Sequence, residues 1–116
     1  MRHHNRNKKF GRERDVRRAL LKSLACSLIR DGKIKTTEVK AKTIRPFVER
    51  LVTKAKVDSS GNRRTVLSVI GNQTQTNHLF KDIAPKYADR KGGYTRVIKL
   101  PIRKSDAAKM ALIEFI

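Results

Sequence analysis

The amino-acid sequence predicts an α+β protein in which about four helices pack on one face of a small three-stranded sheet, preceded by a basic extended N-terminal arm. Apolar residues recur at helical spacing over residues 13–30 and 37–56. The runs YTRVIKL (94–100) and KMALIEFI (109–116) are rich in the branched and aromatic side chains that are typical of strands. Because three strands cannot cover their own apolar surface, the helices must pack on them.

The first twelve residues, MRHHNRNKKFGR, contain no acidic residue and almost nothing apolar. Their cations are Arg2, Arg6, Lys8, Lys9 and Arg12. Such a segment cannot bury enough surface to offset the entropy lost on ordering, so we expect residues 1–12 to be disordered until a partner orders them. A solubilising end is one interpretation, but the excess of cations favours an arm that lies between phosphate backbones. Residues 13–116 are predicted to form a single globular domain.

The first predicted helix spans Glu13–Arg30 and ends at Asp31-Gly32, where the glycine suits a left-handed turn. Its predicted buried stripe consists of side chains at four-residue spacing, which are Val16, Leu20, Leu24 and Leu28, with Ala19 and Ser27 beside them. On roughly the opposite face, the same spacing gives a basic ridge formed by Arg14, Arg18 and Lys22. A solvated helix face usually mixes both signs of charge, whereas here only Glu13 and Asp15 are acidic before Asp31. This imbalance favours a binding ridge.

A short strand, Lys33–Thr36, is predicted next, and Thr37 is placed to cap a second helix that runs to about Lys56. Pro46 lies on the polar side of this helix and removes one backbone donor, so we expect a kink or a displaced helix start. The side chains predicted to enter the core are Ile44, Phe47, Val48, Leu51, Val52 and Ala55.

The second half of the chain is predicted to contain two short helices before the last two strands. One spans Arg63–Ile70 and ends at Gly71. After a polar loop at residues 72–75, Thr76 is placed to cap the other, which Pro85 ends. Their predicted core residues are Val66, Leu67 and Ile70, followed by Leu79, Phe80, Ile83 and Ala84. A charged turn, ADRKGG (88–93), leads into the strands.

The charge of the chain points to a polyanionic partner. Twenty-nine Lys and Arg against ten Asp and Glu give a formal net charge of +19 at pH 7. A compact domain with this charge repels itself, and a polyanion relieves the repulsion. Nucleic acid fits best, because each phosphate met by a cation releases condensed counterions. Two tyrosines, four phenylalanines and no tryptophan argue against a surface dedicated to stacking single-stranded bases.

The residues that usually carry catalysis or bind metal are few and scattered. The single cysteine, Cys26, excludes a disulfide within the chain and suits a reducing compartment. His3, His4 and His78 show no ligand spacing to a carboxylate or to Cys26, and the ten acids are dispersed. We therefore predict that the protein is not an enzyme and has no catalytic residue, metal, cofactor or small-molecule substrate.

The sequence also argues against membrane insertion. No apolar run approaches the roughly 18 residues of a membrane helix, and the start lacks the apolar core of a secretory signal. An arginine-rich start is also found in organelle transit peptides, but residues 1–12 show no amphipathic stripe. We expect a cytosolic protein with no membrane partner.

Several motifs agree with one known family. The central stretch reads IKTT (34–37), KAK (40–42), ERLVT (49–53) and AK (55–56), and it resembles the signature of the bacterial large-subunit ribosomal protein seventeen family. The later block GGYTR (92–96) is similar to the most recognisable part of that family. Further residues that agree in order and spacing are Arg2, His3, Arg17, Ala19, Leu24, Ala25, Arg63, Arg64, Leu79, Phe80, Ala84, Pro85, Tyr87, Asp89, Arg90, Met110, Ala111, Ile113 and Glu114. Asn7 and Val16 depart from it, because the family usually has glycine and histidine there.

The resemblance implies a structural role in the cytoplasmic ribosome. Members of the family bind large-subunit ribosomal RNA (rRNA) on the solvent side of the subunit, near the exit of the nascent-chain tunnel and beside other large-subunit proteins. Together with the charge pattern, it gives a set of predicted rRNA-binding residues. These are Arg2, His3, Arg6, Lys8, Lys9, Arg12, Arg14, Arg17, Arg18, Lys22, Lys33, Lys35, Thr36, Thr37, Lys40, Lys42, Arg63, Arg64, Arg90, Lys91, Gly92, Gly93, Tyr94 and Arg96.

Some of these residues have a second interpretation. Gly92 and Gly93 allow close approach of phosphate to the backbone or simply form a tight turn. Tyr94 stacks on a base or, as a strand residue, faces the core. Thr36 and Thr37 donate to phosphate or cap a helix, and capping is favoured.

Two rival functions follow from charge alone. An architectural protein that coats DNA is one, but the cations are spread over several elements instead of one groove-fitting element, so no DNA partner is expected. An RNA-processing enzyme is the other, and it lacks an acid–base or metal constellation.

Overall fold

Four α-helices and three β-strands make up residues 8–116, the part of the chain that the computed structural model describes. In chain order they are α1 (Arg14–Asp31), β1 (Lys33–Thr37), α2 (Glu38–Ala55), α3 (Ser60–Ile70), α4 (Gln73–His78), β2 (Thr95–Leu100) and β3 (Met110–Phe115). A π-helical turn (Leu79–Ile83) and a 3-10 turn (Ala84–Tyr87) continue α4. The predicted α+β class is confirmed.

The sheet is antiparallel with strand order β1-β3-β2, so the last strand of the chain lies in the centre. In the register, Ile113 of β3 pairs with Ile34 on one side and with Val97 on the other. Ile113 is fully buried, and its two partners pack against the core formed with the helices. The alternate positions Lys33 and Arg96 are exposed. The helices therefore cover one face, as predicted.

Helix α1 has the predicted end but not the predicted buried stripe. Gly32 adopts a left-handed conformation with φ 80°, and its N–H donates to the Leu28 carbonyl. The residues of α1 that are buried are Ala25, Leu28 and Ile29, with Leu21 and Leu24 partly buried against the core. Val16 is 54% exposed, and Ala19 is exposed as well. Each four-residue step turns about 40° around a helix, so Val16 lies about 120° away from Leu28 and cannot share its face.

Helix α2 buries the predicted residues except for Phe47, which is only partly buried, and it adds Ala41. The helix runs through Pro46 and begins at Glu38, so the expected displaced start is wrong. Pro46 is exposed, so its ring lies on the polar side of the helix as predicted. Thr37 occupies the N-cap position without a capping hydrogen bond, and the Glu38 N–H donates to the Lys109 carbonyl at 2.9 Å.

The two short helices begin earlier than predicted, at Ser60 and Gln73. Ser59 accepts a hydrogen bond from the Asn62 N–H at the start of α3, and Gly71 ends that helix in a left-handed conformation. Asn72 accepts from the Gln75 N–H, so the predicted loop at residues 72–75 is wrong.

The residue predicted to cap α4, Thr76, is instead buried one turn inside the helix. Its hydroxyl donates to the Asn72 carbonyl at 2.8 Å. Pro85 does not end the helical path, since a 3-10 turn tolerates proline in its first positions.

The corrected stripe of α1 can be tested by comparing two substitutions on the same helix. Leu28→Ala should lower the free energy of unfolding by about 2–5 kcal/mol, because Leu28 is fully buried. Val16→Ala should change it by no more than about 0.5 kcal/mol, because Val16 is half exposed. Urea denaturation of both variants measures the difference. If both variants lost the same free energy of unfolding, Val16 would belong to the buried side of α1 after all.

Candidate nucleic-acid interface

The α1 ridge (Arg14, Arg18 and Lys22) is exposed, but it does not lie opposite the buried stripe. Successive residues are about 100° apart around a helix axis, so Arg18 and Lys22 lie within about 60° of Ala25. Ala25 is buried, so the ridge lies on the side of α1 that is buried further along the helix. The first half of α1 is mostly exposed, and its basic side borders a groove that α2 and α3 also line. Arg18 and Lys22 have no carboxylate within 4 Å in the described part of the chain, and only Arg14 approaches one, 3.7 Å from Asp15.

The groove beside the first half of α1 combines a basic rim with an apolar floor. We call it the α1 groove; it has a volume of about 310 Å³ and is lined by Arg18, Leu21, Lys22, Phe47, Ser68 and Val69. The cations come from α1, and the apolar side chains come from α1, α2 and α3. A polyanion that follows the ridge can thus reach the body of the domain.

The end of the predicted arm has partly local structure. Lys8 and Lys9 are exposed, and Phe10 and Gly11 form a turn with φ values of 55° and 62°. The Arg12 guanidinium donates to the Phe10 carbonyl at 2.7 Å, which folds this side chain back onto the turn. The predicted site residues Arg2, His3 and Arg6 lie outside the described residues.

The predicted site residues around β1 differ in how free their charges are. Lys33 and Lys35 are exposed on the outer face of the sheet, and Thr36, Thr37 and Lys40 are half buried. Lys42 lies 2.8 Å from Glu38, one turn earlier in α2. Arg17, on α1, is half buried. Lys33 and Lys35 are therefore the most accessible cations of this group.

Arg63 and Arg64 are neighbours in sequence but have different roles. Arg63 donates to both carboxylate oxygens of Asp58, at 2.6 and 3.0 Å, and its Cζ lies 4.9 Å from the centre of the Phe80 ring. The Arg63 guanidinium holds the pKa of the Asp58 carboxyl below its ordinary value of 3.8. Arg64 is exposed and has no carboxylate within 4 Å among the described residues. Arg64 is thus the freer of the two for an external anion.

The turn before β2 brings together most of its predicted residues. Lys91, Gly92 and Gly93 are exposed, and Gly93 has φ 66°, a conformation that favours glycine. The Arg90 guanidinium lies 3.4 Å from the Gly93 carbonyl, so it braces the turn. Arg96 is already paired with Glu114 across the sheet, at 3.0 Å.

Tyr94 does not act as a stacking surface. Its side chain is 1% exposed and lies against Tyr87, with ring centres 5.2 Å apart. Its hydroxyl accepts hydrogen bonds from Lys56 at 3.2 Å and from Thr53 at 3.4 Å. The predicted base stacking by Tyr94 is therefore wrong, and the core interpretation is confirmed.

The structure adds two cations that the sequence reasoning missed, Arg50 and Lys54. Both line a second groove with Lys91 and Gly92, which we call the α2 groove; it has a volume of about 700 Å³, and Pro46, Glu49, Thr53 and Tyr94 complete its lining. Arg50 and Lys54 repeat at the four-residue spacing that singled out the α1 ridge. The same criterion applied to the polar side of α2 would have found them.

The described residues offer little for catalysis. Cys26 is partly buried, its thiol donates weakly to the Ile70 carbonyl at 3.8 Å, and burial raises the pKa of the thiol. His78 lies 2.8 Å from Asp82, so the prediction that no histidine has a carboxylate at ligand spacing is wrong. Within residues 8–116, no group of three or more metal-ligating side chains occurs. No helix in that range is long and apolar enough to cross a membrane.

Fold and surface define a small α+β protein whose cations far exceed the carboxylates available to neutralise them. Residues 20–116 match the family model described as Ribosomal protein L17, and the chain belongs to this family. Membership confirms the resemblance. Membership of this family makes the protein a ribosomal protein. Such proteins are a structural, non-enzymatic class, and the ribosome that contains them lies in the cytoplasm of bacteria.

Relatives of the same length support the assignment. Proteins named "Large ribosomal subunit protein bL17" from Campylobacter jejuni subsp. doylei and Wolinella succinogenes are 48% and 47% identical to this chain over 116 residues. The alignments cover all of this chain and 99% and 100% of those proteins. The protein of that name from Nautilia profundicola is 46% identical over 120 residues, with coverage of 100% and 98%.

The contrast between Arg63 and Arg64 gives a stability prediction. Arg63→Gln should lower the melting temperature at neutral pH, because it removes the partner of Asp58, whereas Arg64→Gln should leave it unchanged. The pKa of Asp58 is lowered in the folded state, so the ion pair stabilises the protein above the ordinary carboxyl pKa of 3.8 and its contribution is lost as the pH falls through the lower folded pKa. Thermal melts at a series of falling pH values should show that the difference in melting temperature between wild type and Arg63→Gln becomes smaller. A constant gap would exclude the ion pair as its cause.

Proposed function

We propose that this protein is a structural component of the bacterial large ribosomal subunit that binds large-subunit rRNA and holds its segments together. Its binding surface consists of the basic arm, the α1 ridge and the exposed cations of β1, α3 and the 90–96 turn. We further propose that it lies near the exit of the nascent-chain tunnel, beside other large-subunit proteins. The name shared by its relatives, "Large ribosomal subunit protein bL17", supports the assembly.

The observation that carries the proposal is the set of exposed cations without acidic partners. Arg18 and Lys22 on α1, Lys33 and Lys35 on β1, and Arg64 on α3 have no carboxylate within 4 Å in the described part of the chain. Where rRNA backbones crowd, their phosphates repel one another. Cations placed between them remove that repulsion and release counterions.

RNA is favoured over DNA by how the cations are distributed. They occur on the exposed first half of α1, on the outer face of the sheet and on turns. Within residues 8–116, no single helix or hairpin gathers them in the form that fits the major groove of B-DNA. A-form RNA hides its base edges from side chains, so recognition by backbone shape suits a protein with many phosphate contacts and few exposed aromatic rings.

The contribution of the α1 ridge can be measured by the salt dependence of rRNA binding. The triple variant Arg14→Gln, Arg18→Gln, Lys22→Gln should melt like the wild type, because all three side chains are exposed. Its log–log slope of affinity against salt should be shallower by roughly 2 to 3, at about 0.7–0.9 per phosphate contact. Filter binding to a large-subunit rRNA transcript at several salt concentrations gives both slopes.

A matched control separates the ridge from net charge. Lys81→Gln, Lys86→Gln, Lys104→Gln removes the same number of exposed charges elsewhere on the surface. The salt slope of this control should differ from the wild-type slope by less than about 0.9, the contribution of one phosphate contact. Equal slopes for the two triple variants would refute the ridge, and preference of the wild type for duplex DNA in competition would refute rRNA as its partner.

A further inference from the structure

Gly92 is a glycine that the fold itself does not require. Its φ lies outside the left-handed region, and a Cβ built on it would meet no protein atom within 4 Å. Gly93 differs, because its φ of 66° is a conformation that other residues rarely adopt. The described chain therefore leaves the space beside Gly92 free for another molecule.

The surroundings of Gly92, unlike those of Gly61, suggest which kind of molecule occupies that space. Gly92 lines the α2 groove together with three cations, Arg50, Lys54 and Lys91. All three are exposed, and none has a carboxylate within 4 Å among the described residues. Gly92 is exposed, and its N–H donates to no main-chain carbonyl in that part of the chain.

The one carboxylate that lines the groove is already engaged. Glu49 accepts hydrogen bonds at one oxygen from the Thr95 N–H, at 3.2 Å, and from the Thr95 hydroxyl, at 3.0 Å. Arg45 lies 3.6 Å from the same oxygen. These contacts fix Glu49 toward β2 and offset its charge, so it does not cancel the three cations.

The floor of the groove is held in place by buried contacts. Tyr94 is 1% exposed, and its hydroxyl is hydrogen-bonded to Lys56, Thr53 and the Arg90 carbonyl. Lys56 also donates to the Arg90 carbonyl, which ties α2 to the turn that carries Gly92. A ligand therefore meets a preformed surface and need not order it.

We propose that an RNA phosphodiester backbone lies in the α2 groove, with one phosphate against the main chain of Gly92 and between Arg50, Lys54 and Lys91. Position 92 is glycine because a side chain would occupy the place of that phosphate. The proposal deepens the proposed rRNA-binding function and rests on it.

A polymer is favoured over a small anion by the relation between the two grooves. The α1 groove is lined by Phe47 and the α2 groove by Pro46, which are consecutive residues of α2. The grooves thus meet across one helix, and a single RNA strand that crosses α2 can contact the α1 ridge on one side and Lys91 on the other.

The first test compares two glycine substitutions. Gly92→Ala should keep the wild-type melting temperature but weaken binding to a large-subunit rRNA transcript about tenfold, since a displaced phosphate loses a hydrogen bond to a charged group. Gly61→Ala is the matched control, because Gly61 also has an unobstructed Cβ position and no left-handed φ. It should bind like the wild type. Wild-type affinity of Gly92→Ala, or a lower melting temperature, would overturn the proposal.

The second test removes charge without touching the turn. Arg50→Gln, Lys54→Gln should make the log–log salt slope shallower by about 1.5, whereas Lys81→Gln, Lys86→Gln should leave it close to the wild-type value. Failure of this proposal alone would appear as normal binding by the groove variants while the α1-ridge variant binds weakly. If the wild type itself shows no salt-dependent rRNA binding, the proposed function fails instead.

Discussion

The whole surface of this protein is shaped by an imbalance between 29 basic and 10 acidic residues. Most of the acids form ion pairs or hydrogen bonds that brace local structure. Asp58, just before α3, pairs with Arg63 in the first turn of that helix, Glu114 pairs with Arg96 across the sheet, and Asp106 pairs with Arg103 in the loop before β3. The cations that remain have no carboxylate within 4 Å in the described part of the chain, so their charge is available to a polyanion.

The position of the core decides where those cations lie. The fully buried residues of α1, Ala25, Leu28 and Ile29, all lie in its second half, and the first half is mostly exposed. The basic side of that half therefore lies over a groove instead of pointing into open solvent. On α2, burial of Val48 and Val52 leaves the opposite side free for Arg50 and Lys54. Core packing and charge placement are thus two consequences of the same helix orientations.

Much of the fold could be predicted because its signals are local. The strands follow from β-branched and aromatic runs, and the ends of α1 and α3 follow from Gly32 and Gly71, which adopt left-handed conformations. The stripe on α1 was predicted wrongly, because four-residue repeats drift around a helix and only tertiary packing decides which side is buried. Asn and Thr both suit the N-cap position, so the sequence did not show that Asn72 caps α4 while Thr76 is buried in the core.

The candidate interface was harder to predict, because charge in a sequence does not show which partner it meets. Arg63 and Arg64 look equivalent in sequence, yet only Arg63 pairs with the Asp58 carboxylate and lies over the Phe80 ring. Gly92 and Gly93 also look equivalent, and only the backbone conformation separates a glycine that the turn requires from one that it does not. Burial of Tyr94 depends on contacts with Thr53 and Lys56, which lie about forty residues earlier in the chain.

We propose that the cations of this protein that lack a nearby carboxylate bind large-subunit rRNA. Crosslinking in growing cells, followed by sequencing of the RNA attached to the protein, tests it most directly. We expect reads confined to one or two segments of large-subunit rRNA, and sedimentation of the protein with the large subunit. Reads scattered over messenger RNA, with the protein sedimenting apart from ribosomes, would contradict it.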